Sequence, residues 1–239
     1  MTTLSEFNKR SESVHRLLES NPELTKCIDV MFNYIDMFHT VLPHKDLSAD
    51  KVFFLMLWLN IQSYHKDALF LILGKNIDAG FALLRLAAEL ARDIARMDED
   101  VTNLEMWKNK NRKKIYKKDY YKDTFQFKTE DSLEKLVFKQ YNHFSTLGVH
   151  HHLGLAIHGE VTQISEDRRI ATIDISDEKI IGEVAQWILA YFPVNEMCMR
   201  VFNSEINDMK DELGQISAEF AKIKIAIIDY ALNIIKEKT

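Results

Sequence analysis

Apolar residues recur along this chain at intervals of three and four, the period of a helix with one buried face. A first segment carries Leu4, Phe7, Val14, Leu17 and Leu18 and ends near Ser20. Asn21-Pro22 reads as an N-cap followed by proline at the first helical position. The second helix it opens bears Leu24, Cys27, Ile28, Met31, Ile35, Phe38 and Leu42 on one stripe and is stopped by Pro43. Ser48 is placed to cap a third helix, apolar nearly all round from Val52 to Leu59 and ending near Gly74, which predicts a central position. The fourth, about Asn76 to Met97, buries Ile77, Gly80, Phe81, Leu84, Ala87, Ala88, Ala91, Ile94 and Ala95.

Further on, a segment from Trp107 reads as a helix fraying into a loop near 123 to 128. Another helix starts near Asp131, with Leu133, Val137, Phe144 and Leu147 on its core face. Only around Val161 to Ile175 does the period drop to two, across a short polar turn, which predicts one β-hairpin. Ser176 opens a helix whose stripe continues past Pro193, where proline should kink or restart it, and Gly214 separates a last amphipathic helix. No repeat, linker or low-complexity tract divides the chain. The expectation is a single all-α domain over residues 1 to 239, a bundle of seven or eight helices with at most that one hairpin near 161 to 175.

Composition agrees with this picture and narrows the setting. Among 239 residues, 46% are hydrophobic, enough for a real core, and only seven are glycine and three proline, too few for the turns of a many-stranded fold. The N-terminal residues lack a basic-then-apolar signal pattern. The most apolar stretch, Val52 to Leu73, is interrupted by Asn60, Gln62, His65, Lys66 and Asp67 and falls short of a membrane span. Cys27 and Cys198 sit inside helical patterns without metal or redox spacing, as reduced thiols do. A cytoplasmic protein with no membrane contact is expected, and its apolar helices suggest a homodimer.

Charge changes the picture. The net charge is −5, yet residues 107 to 123 hold eight Lys or Arg against two Asp, so that segment is +6 and the remainder −11. Lys110, Arg112, Lys113, Lys114, Lys117 and Lys118, interleaved with Trp107, Tyr116, Tyr120 and Tyr121, have the makings of an RNA- or DNA-binding surface, with lysines for phosphates and rings for bases. A solvated helix face is the commoner reading of such a run, and no RNA-binding fingerprint accompanies it.

Two further constellations carry candidate chemistry. Along one edge of the fourth helix run Asp78, Arg85, Glu89, Arg92 and Arg96, with Arg85 and Glu89 at i and i+4. This line is either a solvated ion-pair stripe or one wall of a polar pocket. In the stretch from Tyr141 to His152, a continuous helix sets Tyr141, Ser145, Gly148 and His152 on one strip beside the core face. If Gly148 instead ends the helix, His150 to His152 are presented from a loop. Metal binding needs three or four convergent ligands, and consecutive histidines on a helix point 100° apart. Glu12 to His15 is a single Glu-x-x-His where a di-iron bundle needs two. No metal and no cofactor is expected. The chain carries no P-loop, GxGxxG or Ser-His-Asp motif.

The pattern Gly74-(x)5-Gly80-Phe-Ala-Leu-Leu-Arg85-(x)3-Glu89, with Tyr141, Ser145 and His150 downstream, resembles a bacterial family of all-helical proteins known only as a domain of unknown function, over roughly residues 50 to 200. In that family the histidine follows the serine by about four positions; here it follows by five. The resemblance implies a cytoplasmic helical bundle and no established activity. A looser one is to HEPN-type helical proteins, many of them ribonucleases or toxin and antiphage components, although the Arg-to-His spacing of that group is missing.

Two functions follow. The favoured one is a non-catalytic interaction module with a polar Arg/Glu/Ser/His cluster. The alternative is a metal-independent RNase or related nucleic-acid enzyme. In it, Arg85, Glu89, Tyr141, Ser145, His150 and His152 form the candidate catalytic cluster: a histidine of 150 to 152 is the general base, Arg85 steadies phosphorane charge, and residues 108 to 118 hold the backbone.

Overall fold

The computed structural model describes residues 3–110, 124–149, 160–165, 168–172, 175–208 and 210–236. The candidates Arg112, Lys113, Lys114, Lys117, Lys118, His150 and His152 lie outside them.

Helix α1 spans Thr3–Ser20 and α2 Pro22–Val41, followed by a single 3-10 turn at Leu42–His44. Asn21 holds the N-cap position with proline after it, but its side chain donates backwards, Nδ2 to the Leu17 carbonyl at 2.8 Å. Helix α3 covers Ala49–Leu73, and Ser48 caps it by accepting from the Lys51 amide at 3.3 Å. At its other end the Asn76 amide donates to the Leu71 carbonyl and the Lys75 amide to that of Ile72, a reversal that places Lys75, not Gly74, at positive φ, 65°. Helix α4, Ile77–Glu99, then runs back along α3.

Gly80 makes that packing possible. A Cβ there would sit 2.6 Å from the Ile72 side chain and 2.9 Å from the Ala68 carbonyl oxygen of α3, so the missing side chain lets the two helices approach. Asp100 begins the short α5, Val101–Asn109, its carboxylate accepting from the Thr102 amide at 2.8 Å. Helix α6, Ser132–Val149, starts from Asp131, whose Oδ1 accepts from the Leu133 and Glu134 amides at 2.9 Å each. It runs on through Gly148.

Strands β1 (Glu160–Ser165) and β2 (Arg168–Thr172) pair antiparallel, with an irregularity between Gln163 and Ser165. Helix α7 spans Asp177–Val201, α8 Asn203–Asn207 and α9 Lys210–Lys236. Pro193 neither stops nor restarts α7, because residues 190 to 195 are buried on every side and packing outweighs the one lost amide donor. Gly214 likewise lies within α9. The protein is all-α apart from that one strand pair among the described residues. They hold nine α-helices, more than the seven or eight expected, since α5 and α8 are too short to show an apolar period. No helix among them is long and apolar enough to cross a membrane.

The core is one cluster, with α4 at its centre packed by α3, α6 and α7, and with α9 against α7. Its deepest polar feature is closed on itself. Tyr191 Oη donates to Gln62 Oε1 at 2.8 Å, the Gln62 amide and Trp58 Nε1 both donate to Asn195 Oδ1, the latter at 2.7 Å, and Asn195 Nδ2 donates to the Tyr191 carbonyl at 2.8 Å. Among the polar interruptions in α3, Gln62 is therefore an anchor point of α7, while Asn60, Lys66 and Asp67 are exposed.

Candidate functional site

The charged edge of α4 turns inward. Arg85, Glu89, Arg92 and Asp93 line a cavity of about 500 Å³, within the usual size range of small-molecule sites. It is closed by Trp107 and Lys110 from the end of α5, by Phe125, Gln126 and Phe127 from the irregular segment before α6, and by Phe138 and Tyr141 from α6. Of the expected edge, Arg85, Glu89 and Arg92 line this cavity, with Arg85 and Glu89 also forming the i and i+4 ion pair, and Asp78 is not in the lining. Arg96 goes further and is buried: Nε donates to the Gln126 carbonyl at 3.1 Å, and the guanidinium pairs with Glu99 at 2.8 Å and with Glu134. Glu134 also accepts from the Lys128 amide at 2.8 Å. Arg96 thus fixes the segment that carries the aromatic wall, 30 residues downstream.

Each cation of the cavity sits between a carboxylate and a ring. Arg85 contacts Glu89 Oε1 through Nε at 3.1 Å and through its terminal nitrogen at 3.0 Å, and its guanidinium lies 5.5 Å from the centre of the Tyr141 ring. Arg92 donates to Asp93 Oδ1 at 2.6 Å and covers Phe127 at 5.3 Å. Lys110 is 3.7 Å from Asp93 Oδ2 and 4.4 Å from the Trp107 ring. Asp93 is the hub, nearly buried, and its Oδ2 also accepts from Trp107 Nε1 at 2.8 Å. Phe138 and Tyr141 stack and Phe127 packs tilted against both, with centroids 5.4 to 6.3 Å apart.

Titration follows this crowding. Burial lowers the pKa of Lys110 below its ordinary value; Asp93 pulls it back up and Arg92 adds to the depression. For Arg85 partial burial acts downwards but is outweighed by Glu89 and Tyr141, which hold it above the ordinary value. Three cations against two carboxylates leave the lining at +1.

Of the sequence candidates, Arg85, Glu89, Tyr141 and Lys110 meet in this cavity. Ser145 is one turn further along α6 and is not part of the lining; its Oγ is buried with no hydrogen-bond partner among the described residues. Trp107, expected as a stacking ring of the basic segment, lines the cavity, whereas Asp93, which ties α4 to it, was in no candidate group. A carboxylate set among the buried positions of α4, between Ala91 and Ile94, was the available signal, since such a group must find partners. Among the described residues no group of three or more His, Cys, Asp or Glu side chains is gathered as a metal ion would require. No family model matches the sequence, and neither a curated protein nor a solved structure matches it.

Proposed function

We propose that this chain is a non-catalytic binding module whose cavity between α4, α5 and α6 receives an anionic ligand bearing flat apolar surface. What supports this is the convergence of three cation-on-ring pairs, Arg85 on Tyr141, Arg92 on Phe127 and Lys110 on Trp107, around one space of about 500 Å³ with a net positive lining. A cation held beside a ring keeps its charge in a partly apolar setting, so an anion gains charge-assisted contacts while its apolar part covers rings. Lys110, depressed by burial, regains its proton affinity when negative charge arrives.

The test compares two flat-ringed dyes by calorimetry: 8-anilinonaphthalene-1-sulfonate, an anion, and thioflavin T, a cation. The anion is expected to bind at one site and to lose about tenfold in affinity in Arg85→Met and in Arg92→Met, roughly the worth of one charged hydrogen bond. The cation is expected not to bind. Equal affinity of both variants and the parent for the anion, with melting temperatures unchanged, removes the reading.

The nuclease reading keeps one observation in its favour: Lys110 belongs both to the cavity lining and to the basic run that continues to Lys118. It expects RNA cleavage by the parent protein that Arg85→Met abolishes. An RNA substrate left intact by the parent ends it.

A further inference from the structure

We infer that the anionic ligand is a phosphorylated nucleoside, its phosphate against Arg85, Arg92 and Lys110 and its base against the aromatic wall, whether as a free nucleotide or as one unit of a single strand. The inference rests on the anion-binding reading above and narrows it.

Three features of the lining ask for more than an anion. The first is the extent of the rings. Tyr64, Trp107, Phe125, Phe127, Phe138 and Tyr141 arrive from α3, α5, the 124–131 segment and α6. A bare phosphate uses none of them, whereas a base stacks on aromatic faces and on guanidinium planes alike.

The second is the pair of carboxylates. Glu89 and Asp93 repel a simple anion, so their place in the wall is explained by a ligand that also brings N–H donors. Asp93 is committed to Arg92, Lys110 and Trp107. Glu89 takes both Arg85 contacts on Oε1, and its Oε2 accepts no hydrogen bond from the described residues. That free oxygen at the cavity wall is an acceptor for an exocyclic amino group, the way carboxylates read the cytosine amine. Bases carrying an amino group are thereby favoured over uracil, which offers a carbonyl at the corresponding position.

The third is continuity of charge. The chain leaves the cavity at Lys110 directly into the densest run of cations in the sequence. A ligand whose phosphate lies at Lys110 is held by a residue that sequence joins to six further cations within twelve positions, which suits one unit of a longer phosphodiester as well as a free nucleotide.

The experiment measures binding of CMP, UMP, cytidine and ribose 5-phosphate to the full chain by calorimetry. Quenching of tryptophan emission supplies the second readout, since Trp107 lines the cavity while Trp58 and Trp187 are fully buried in the core. CMP is expected to bind at one site and to quench. Cytidine and ribose 5-phosphate should each be about tenfold weaker or worse, because each lacks one of the two recognised parts. UMP should bind several-fold more weakly than CMP, and that ratio should collapse to one in Glu89→Met. The ratio is insensitive to any change the variant makes to phosphate binding, because both nucleotides share the phosphate.

A hexamer of cytidylate separates the sources. Affinity well above that of CMP assigns the cavity to a single strand, and equal affinity assigns it to the free nucleotide. If the anionic dye binds in the cavity but CMP neither quenches nor displaces it, the nucleotide assignment is wrong and the anion reading stands. If neither binds, both are wrong. A CMP affinity equal to that of ribose 5-phosphate also overturns the inference, since the rings then contribute nothing.

Discussion

Arg96 and His65 show how strongly single buried groups constrain this protein. Arg96 is 2% exposed and answers to Glu99, Glu134 and the Gln126 carbonyl at once. Arg96→Met leaves Glu134 as a buried carboxylate short of its partner, and breaking such a pair costs about 3 to 5 kcal/mol. Urea denaturation should show a loss of that size, and Arg96→Met combined with Glu134→Met should recover a large part of it, because no charge is then stranded. A double variant as unstable as the single one contradicts this account. His65 is fully buried between the Trp187 and Tyr191 rings with neither ring nitrogen hydrogen-bonded among the described residues, and burial lowers its pKa to about 3. His39, edge-on to Trp58, is lowered by burial to about 4. In the unfolded chain both titrate near about 6.5. The folded state therefore binds fewer protons below that pH, and stability is full above about pH 6.5 and falls as pH drops toward 4. For His65 alone the slope is about 1.4 kcal/mol per pH unit in that window. Melting temperature against pH should decline on the acid side, and less steeply in His65→Phe.

At the scale of elements, the α3 and α4 pair sets everything else, and its geometry rests on Gly80. Gly80→Ala places a methyl group against the Ala68 carbonyl oxygen, which belongs to backbone and cannot rotate away, so the helices must separate. The expected cost is about 1 to 3 kcal/mol, the range for overpacking a well-filled core, read as a lower urea midpoint at unchanged slope. Because α4 carries one cavity wall, dye or nucleotide affinity should fall with it. A fully stable Gly80→Ala shows instead that the neighbouring Ile72 and the backbone adjust freely. The apolar period made most of this pair legible in advance: the buried residues of α4 include Ile77, Gly80, Phe81, Leu84, Ala87, Ala88, Ala91 and Ile94, as a helical wheel gives them. It carried the α7 stripe past Pro193 but could not show that the helix continues there without restarting, since that depends on burial from all sides. It could not show that α3, though apolar nearly all round, leaves Val52, Met56 and Leu59 exposed. The far wall of the cavity was hidden for a related reason: Phe125 and Phe127 stand in a segment without periodicity, positioned by Arg96 and Glu134 from two different helices. Periodicity reports a residue's own helix, whereas a site is made where helices meet.

For the molecule as a whole, the decisive property is uneven charge. A body of −11 carries a segment of +6 that adjoins the cavity at Lys110. A polyanion is repelled by most of the surface and attracted by one stretch, so binding should be confined there and should weaken steeply with salt, through release of counterions from each phosphate contacted. Replacing Lys113, Lys114, Lys117 and Lys118 by glutamine turns the segment from +6 to +2. If all four lysines touch phosphates, the slope of log affinity against log salt for a single strand should shrink by about 3, at roughly 0.7 per contact. Filter retention of a cytidylate oligomer across about 50 to 200 mM salt measures it. CMP binding in the cavity should be unaltered by the same four changes, since its phosphate is held by Arg85, Arg92 and Lys110, all retained. A salt slope that survives the four replacements places the polyanion elsewhere on the protein. A loss of CMP binding along with it shows that segment and cavity are one surface rather than two neighbouring ones.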